Sequence, residues 1–594
     1  MLSLANQIKA AAAGAINHLF PGLGVTDQQV LVNETKPGFA GDYTVVLFPF
    51  VKSLRQNPAA LGKAIGDYLV AHNPLFAAHE TVAGFLNLSI NDAVLVGFLN
   101  HHYTDKNLGH RAANGQKVMV EYSSPNTNKP LHFGHLRNIF LGSSVSKILA
   151  AAGYEVIRAN LINDRGIHIC KSMIAWMRYA NGATPQSTGI KGDHFVGDYY
   201  VRFNDAYKEE VAALAANGMY QETAEKEAPI MKEAQELLVK WEAGNEEVYS
   251  LWQKMNNWVY EGFAVSYKRL GVDFDKMYYE SDTYLLGKQL VQEGLGKGVL
   301  FRKENGSVWI DLTADGLDEK LLLRADGTSV YMTQDLGTAK LKYQDYGTNQ
   351  SVYVIADEQN YHMQVLKLIL QKLGEPCAGG IYHLSYGMVE LPSGRMKSRE
   401  GTVVDADDMM DEMLRLAQEQ TEENGKTDGF STEELANLYE MIGMGALKFY
   451  LLRIEPKKKM IFDPKESIDL HGFTAAFVQY AHARICSILQ KNEIAEGPVT
   501  LGKEPLLDME KTLLLQIEQY PQVLEQAAAE FNPSALCNYA FRLAQTFNSF
   551  YDKHSIAKAE SEEKKQLRLM LATMTANTLQ NAMLLLGISV PQKM

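Results

Sequence analysis

Only four of the 594 residues are cysteine, and Cys170, Cys377, Cys486 and Cys537 lie far apart with no C-x-x-C among them. That spacing excludes a zinc knuckle and gives no disulfide framework, so a reducing, cytoplasmic setting is expected. No apolar run approaches the ~20 residues that span a bilayer, and no membrane partner is expected. The first twenty residues set Leu2, Leu4, Ile8, Ile16, Leu19 and Phe20 among alanines, without a basic leader. They read as an amphipathic helix of a first domain, not a signal. Positive charge is also scarce, 57 Lys and Arg against 70 Asp and Glu, for a net charge of −13. That excludes a uniformly basic nucleic-acid coat but allows a local basic face. Two phosphate-binding signatures are missing as well. Neither G-x-x-x-x-G-K-[ST] nor a strand-linked G-x-G-x-x-G occurs, and Gly294, Gly296 and Gly298 have the spacing of a helix exit.

What is present is residues 126–135, Asn-Thr-Asn-Lys-Pro-Leu-His-Phe-Gly-His. They come after the apolar run Val118, Met119, Val120 and lead into a helical pattern. Two histidines three apart at a strand-to-helix turn suit a triphosphate. Imidazoles donate to phosphate oxygens, and a helix N-terminus adds amide donors and a field that favours anions. Gly134 leaves room for a flat base against the backbone. A bare H-x-G-H is common by chance. Its place after a strand, with Pro125, Asn126 and Lys129 just before it, gives it weight.

The length requires three or four cores. Residues 1 to about 112 read as an α+β domain, with a helix, a turn at 36–41 and strands at 43–48 and 84–90. Beyond residue 117 the pattern becomes strand 118–122, helix 136–152 and strand 156–161, a parallel crossover unit of a doubly wound sheet. Residues 190–270 are polar and helical and read as an insertion. Asn305-Gly306 between alternating runs signals a hairpin, and further sheet pieces are expected at 351–356 and 381–388. From about residue 405 onward nearly everything has helical periodicity and reads as a bundle. Arg453 with Lys457, Lys458 and Lys459 reads first as a solvated loop.

With these segments in view, the chain resembles class I aminoacyl-tRNA synthetases, and among them the arginyl-tRNA synthetases. Glu121-Tyr122-Ser123-Ser124-Pro125-Asn126 with Lys129 to Arg137 is similar to the first class I signature. Asp326-Gly327-Thr328 with Tyr331, Thr333 and Asp335 resembles the amino-acid-binding segment. The stretch from Tyr353 through Gln359 and His362 matches a further segment. Val478 to Arg484 resembles the opening of the anticodon-binding bundle, and Leu586-Gly587-Ile588 the family's C-terminal end. The resemblance runs the full length, in order.

It implies an α/β fold: a Rossmann-like parallel-sheet catalytic domain at 113–405, an α+β N-terminal domain at 1–112 and an all-α anticodon-binding bundle at 466–594, with linker and stem-contact helices at 406–465. It implies ligation of arginine to tRNA(Arg) through arginyl-adenylate, with ATP as substrate, Mg²⁺ accompanying ATP, no structural metal, tRNA-dependent activation and a monomer. The second signature departs from the pattern. Arg395-Met396-Lys397-Ser398-Arg399 stands where the class has Lys-Met-Ser-Lys-Ser. In this family a lysine upstream of H-x-G-H is held to substitute, and Lys129 occupies that place.

The implied ATP site is His132, Gly134, His135, Arg395, Met396, Lys397 and Ser398, with Lys129, Lys397 and Arg399 as cations on the transferring phosphates. The implied arginine site is Glu121, Ser123, Asn126, Tyr331, Asp335 and Gln359. A guanidinium is planar and carries five donors, so its pocket needs in-plane carboxylates, which Asp335 and Glu121 supply. Ser123 and Asn126 are candidates for the α-amino and carboxylate groups. Lys36 and Phe39 would meet the tRNA elbow, and Tyr480, Arg484 and Tyr551 the anticodon by stacking and edge contacts. Plainer readings stand beside these. Asp335 serves as a helix cap, Tyr331 as core, Glu121 as a surface charge, residues 163–166 as a turn, and His168 and His194 as structural groups. Trp252, Met255, Trp258 and Val259 read as helix packing. Rival functions are a small-molecule nucleotidyltransferase, a non-catalytic tRNA-binding relative and a class I synthetase of another specificity.

Overall fold

The structure is a computed structural model that describes residues 3–392, 404–423, 427, 429–495, 497–501 and 504–594. The N-terminal domain is an antiparallel sheet of β1 (Val32–Glu34), β2 (Tyr43–Val46), β3 (Phe76–Val82) and β4 (Phe85–Ile90) in the order β1-β2-β4-β3. The helix Leu4–Leu19 packs on it through Leu4, Ile8, Ala12 and Ile16, which are buried at the spacing of one helical face. The β3–β4 hairpin turns on Ala83 and Gly84, both at positive φ (47° and 88°), the backbone of the tight two-residue turns that match strand twist.

The second, five-stranded sheet is parallel throughout. β5 (Lys117–Glu121), β6 (Glu155–Ile162), β7 (Lys276–Tyr279), β11 (Gln350–Ala356) and β12 (Ile381–Tyr386) lie in the order β12-β11-β5-β6-β7. Between them in sequence, β8 (Phe301–Arg302), β9 (Val308–Ile310) and β10 (Lys320–Leu323) form a small antiparallel sheet. The Asn305-Gly306 hairpin sits there as expected, with Gly306 at φ 86°. The chain runs from β5 outward to β7, then returns on the other side as β11 and β12. The reversal between β5 and β11 is a topological switch point, the place where open parallel sheets leave a crevice for ligands. The insertion between β6 and β7 is helical, and Trp252, Met255, Trp258 and Val259 are buried in its packing, as the plain reading has it.

Helices make up most of the chain beyond β12, from Ala406–Glu423 and Thr432–Leu452 to Ser534–Lys553 and Glu562–Leu585. One short exception is β14 (Met460–Ile461), which pairs in parallel with β13 (Val389–Glu390). The N-terminal domain is stitched to this late region. The Leu4 amide donates to Glu518 Oε1 (2.6 Å), Lys511 pairs with Asp42 (2.8 Å), and Asn581 Nδ2 donates to the Lys106 carbonyl (2.7 Å). All four cysteines are free thiols. Among the described residues no helix is long and apolar enough to cross a membrane.

Candidate active site

The carboxyl end of β5 turns through Ser123 and Ser124, both left-handed (φ 77° and 45°) without being glycine. Ser124 also precedes Pro125, where extended backbone is favoured. Each such residue costs about 1–3 kcal/mol and persists only when its surroundings over-determine it. Here they do. The Ser123 amide donates to Asn138 Oδ1 (2.6 Å), the Ser124 amide to Asn160 Oδ1 (3.0 Å), and Asn138 Nδ2 to the Val354 carbonyl of β11 (2.6 Å). Ser123 Oγ is buried against the Tyr267 hydroxyl at 2.7 Å. It therefore holds the turn rather than standing open at the strand end. Asn126, by contrast, is exposed and bridges to Asn163 after β6.

The turn delivers His132 as N-cap of the helix Phe133–Ala151. The His132 amide donates to His135 Nδ1 at 3.0 Å, so the neutral His135 ring carries its proton on Nε2 and is a donor there. The two rings stack with centroids 3.7 Å apart. Burial, then the Lys129 charge, pushes His132 down to about 4. Burial, then His132 and Lys129, pushes His135 well below its ordinary value. Lys129 is itself lowered by burial and has no carboxylate partner among the described residues. A Cβ on residue 134 would come 3.1 Å from the His132 ring, a tight contact that the glycine avoids.

These shifts fix a pH dependence. Between about pH 4 and 6.5 the unfolded histidines bind protons that the folded ones do not, so stability is lost as pH falls through that window. His132→Gln should show a smaller drop in thermal midpoint from pH 6.5 to 4.5 than the parent. An equal drop would place the titration elsewhere.

In the segment expected to bind the amino acid, Tyr331 opens the helix Tyr331–Tyr346 and is 78% exposed, which rules out the core reading. One turn on, Asp335 Oδ2 meets His362 Nε2 at 2.6 Å, so its carboxylate is oriented by a ring rather than used as a cap. Gln359 is exposed in the turn after β11. Glu121 differs from both expectations. It is neither a surface charge nor a free acceptor but is buried in an ion pair with Lys342, itself 2% exposed. The Lys342 ammonium lies 4.7 Å over the Tyr353 ring.

No sequence pattern points to Glu280, at the carboxyl end of β7. Its side chain is half-buried and makes no hydrogen bond or ion pair among the described residues. Burial pushes it up to about 7 against the pull of Arg165, and Asp164 and Asp335 add to the rise. Asp164, expected as part of a turn, is 1% exposed and accepts from the Ser281 amide (2.9 Å), Ser281 Oγ (2.7 Å) and Tyr260 (2.9 Å). It thereby fixes the residue next to Glu280.

Arg395, Met396, Lys397, Ser398 and Arg399 lie outside the described residues. The segments flanking them are tied to the histidine element. The Phe133 amide donates to the Val404 carbonyl (2.9 Å) and the Ala406 amide to that of Leu131 (3.0 Å). Arg137, two residues after His135 and 1% exposed, donates to the carbonyls of Gly387 (2.5 Å), Lys458 (2.9 Å) and Pro456 (3.2 Å). Gly387 allows this approach, since a Cβ there would lie 2.6 Å from the Lys458 backbone. The lysine run is thus solvent-facing at its side chains, as expected, but pinned from beneath. Arg453 leaves the run and pairs inward with Glu466 and the Phe473 carbonyl.

His168 meets the Tyr200 hydroxyl at 3.0 Å. Asp193, His194 and Asp407 have the spacing of metal ligands. The Lys191 ammonium already bonds both carboxylates, at 3.0 and 2.6 Å, and makes them a poor fit to a cation. In the bundle, Tyr480, Arg484 and Tyr551 line one groove of about 780 Å³, with the Arg484 guanidinium 5.0 Å over the Tyr480 ring. Lys36 and Phe39 are exposed together on a turn of the N-terminal domain.

A switch-point crevice with stacked histidines capping the helix after its central strand defines a class I aminoacyl-tRNA synthetase catalytic domain. Residues 99–463 match the family model for the class I tRNA synthetase (R) catalytic domain, residues 3–90 that for the arginyl tRNA synthetase N terminal domain, and residues 478–594 that for the DALR anticodon binding domain. The chain is 49% identical to the arginine–tRNA ligase of Amoebophilus asiaticus, covering 99% of each, and 49% identical to that of Bacteroides thetaiotaomicron, covering 100% of each. Its structure resembles Thermus thermophilus arginyl-tRNA synthetase with a TM-score of 0.81 at 25% identity, over 100% of both chains. The chain belongs to the arginyl-tRNA synthetase family, the class I ligases that charge tRNA(Arg) with arginine at the expense of ATP.

Proposed function

We propose a division of labour among these residues in the arginine–tRNA ligase reaction. Arginine's carboxylate attacks the α-phosphorus of ATP, giving arginyl-adenylate and pyrophosphate. The 3′-terminal ribose hydroxyl of tRNA(Arg) then attacks the arginyl carbonyl, forming the ester and releasing AMP. The observation that carries this reading is the neutral, stacked His132–His135 pair on a helix N-terminus beside Lys129. His135 Nε2–H and His132 donate to phosphate oxygens. Lys129 supplies the nearby cation, helped by Lys397 or Arg399, while Gly134, Arg395, Met396 and Ser398 complete the ATP site. The leaving group is already an anion, so positioning and charge stabilisation do most of the work. Mg²⁺ arrives on the ATP phosphates and neutralises their charge, without a protein cage. Activation of arginine awaits bound tRNA.

The guanidinium lies between Asp335 and Glu280, with Tyr331 and Gln359 as neutral partners and the Glu121–Lys342 pair behind them. Asn126 takes the α-amino or carboxylate group, and Ser123 holds the turn that presents it. Lys36 and Phe39 meet the tRNA elbow. Tyr480, Arg484 and Tyr551 receive unstacked anticodon bases. Residues 1–112, 113–405, 406–465 and 466–594 act as elbow-binding, catalytic, stem-contact and anticodon units. The working unit in this reading is a monomer, and four free thiols suit the cytoplasm.

ATP–pyrophosphate exchange across the twenty amino acids, with and without tRNA, tests the scheme. Exchange should appear with arginine and tRNA together. Exchange with arginine alone would remove the tRNA requirement. A carboxylate poised near pH 7 must ionise to hold a guanidinium, so the arginine KM should fall as pH rises from 6 to 8. Glu280→Gln should flatten that fall, and an unchanged profile would take Glu280 out of the pocket.

A further inference from the structure

Arg568 is among the most deeply buried charges in the chain, at 1% exposure, and nothing in the ligation chemistry uses it. It lies on the last helix, Glu562–Leu585. Its Nε donates to Glu510 Oε1 at 2.8 Å, and the other oxygen of Glu510 (0% exposed) takes the Lys564 ammonium at 2.7 Å. Two cations therefore converge on one sealed carboxylate. The inner half of the guanidinium is accounted for by charge compensation, since an unpaired buried charge costs several kcal/mol.

The outer half points elsewhere. One terminal nitrogen donates to the Ser555 carbonyl at 2.7 Å, and the other forms an ion pair, without hydrogen-bond geometry, with Glu560 Oε2 at 2.7 Å. Ser555 and Glu560 lie one residue in from either end of the connection between the helices Ser534–Lys553 and Glu562–Leu585. That connection is one wall of the bundle groove, contributed by Ser555, Ile556 and Ala557, and Tyr551 stands on the helix that leads into it. A planar fork spans two acceptors at fixed separation, which a lysine ammonium does not. Glu510 ties the same group to the helix Asp508–Glu518, whose Lys511 grips Asp42 of the N-terminal domain at 2.8 Å.

We propose that Arg568 is a positioning residue for tRNA recognition: its guanidinium staples both ends of the 554–561 connection, and so sets the width of the groove that Tyr480, Arg484 and Tyr551 offer to unstacked bases. It touches no substrate. The inference rests on that groove being the anticodon site, and the test separates the two.

Steady-state aminoacylation is measured for Arg568→Lys, Glu560→Ala and Tyr551→Ala, with tRNA(Arg) and with a transcript of altered anticodon. Arg568→Lys keeps the charge on Glu510 but gives up the outer fork. Its tRNA KM should rise about tenfold, the equivalent of one charged hydrogen bond. kcat and the KM values for ATP and arginine at saturating tRNA should stay within about twofold, and discrimination against the altered anticodon should shrink. Glu560 is half-exposed, so Glu560→Ala folds readily and should move the tRNA KM the same way by about threefold. A raised tRNA KM in Tyr551→Ala beside normal values in the other two variants would overturn the staple alone. A normal value in Tyr551→Ala would remove the groove itself. A joint fall in kcat and in affinity for all three substrates would reduce Arg568 to a purely structural role and overturn the proposal.

Discussion

Asp335→Ala should raise the arginine KM by about 10²–10³-fold while leaving the ATP KM within a few-fold. Asp335 stands one helical turn from Tyr331 and is held by His362 at 2.6 Å, so its second oxygen is already oriented before substrate arrives. A pre-oriented carboxylate oxygen facing a guanidinium makes charge-assisted bonds, each about 1.5–3 kcal/mol. In the proposed pocket, removing them also leaves the substrate cation to Glu280, a group raised to about 7 by burial, and to neutral partners. Asp335→Asn keeps the shape and one acceptor, and a smaller effect, roughly tenfold, is expected. His362→Ala should fall between the parent and that value. Aminoacylation kinetics with arginine varied at saturating ATP and tRNA decide the matter. Unchanged arginine kinetics in Asp335→Ala would return Asp335 to a packing role.

The second large effect is on stability. Arg137→Met should lower the stability of the catalytic domain by about 3–5 kcal/mol, moving its urea midpoint by about 1–2 M. Methionine fills the volume but offers no donor, so the carbonyls of Gly387, Pro456 and Lys458 lose their shared partner in a sealed space. Burial already pulls Arg137 down to about 10, and it remains charged at any physiological pH. The pinned carbonyls lie on the two segments that carry β13 and β14, so the loss should loosen the strand pair at the base of the signature stretch. ATP binding should weaken together with the urea midpoint. A midpoint within about 0.3 M of the parent would show that backbone and solvent satisfy those carbonyls without the guanidinium.

The contrast between these two residues shows what could be read from the chain alone. Strand β5, the helix after it and β6 were legible because period-two and period-3.6 patterns meet at a short joint, and the 3.6 pattern likewise marks the bundle. Tyr331 and Asp335 stand out in the sequence because they repeat a family spacing. Arg137 stands inside the first class I signature, yet its partners are about 250–320 residues away, and no local pattern encodes them. The same holds for Glu121, whose neutralising Lys342 comes from a distant helix. Glu280 carries no motif and becomes visible only when β7 is placed beside β6. The left-handed serines before Pro125 run against local propensity, and Ala83 in a tight hairpin does so too. Asn138 and Asn160 impose the serine conformations and the paired strands that of Ala83, so neither turn is written in its local sequence.

The stitching of residues 4–106 to residues 506–581 bears on how the chain is made. At about 5–20 residues per second, the Leu4 amide leaves the ribosome some 25–100 s before Glu518, its acceptor 514 positions later, has been translated. Through that interval the first domain must wait with its docking face uncovered. Chaperone dependence and aggregation in this protein should therefore track the speed of translation through its middle, not the stability of the finished fold.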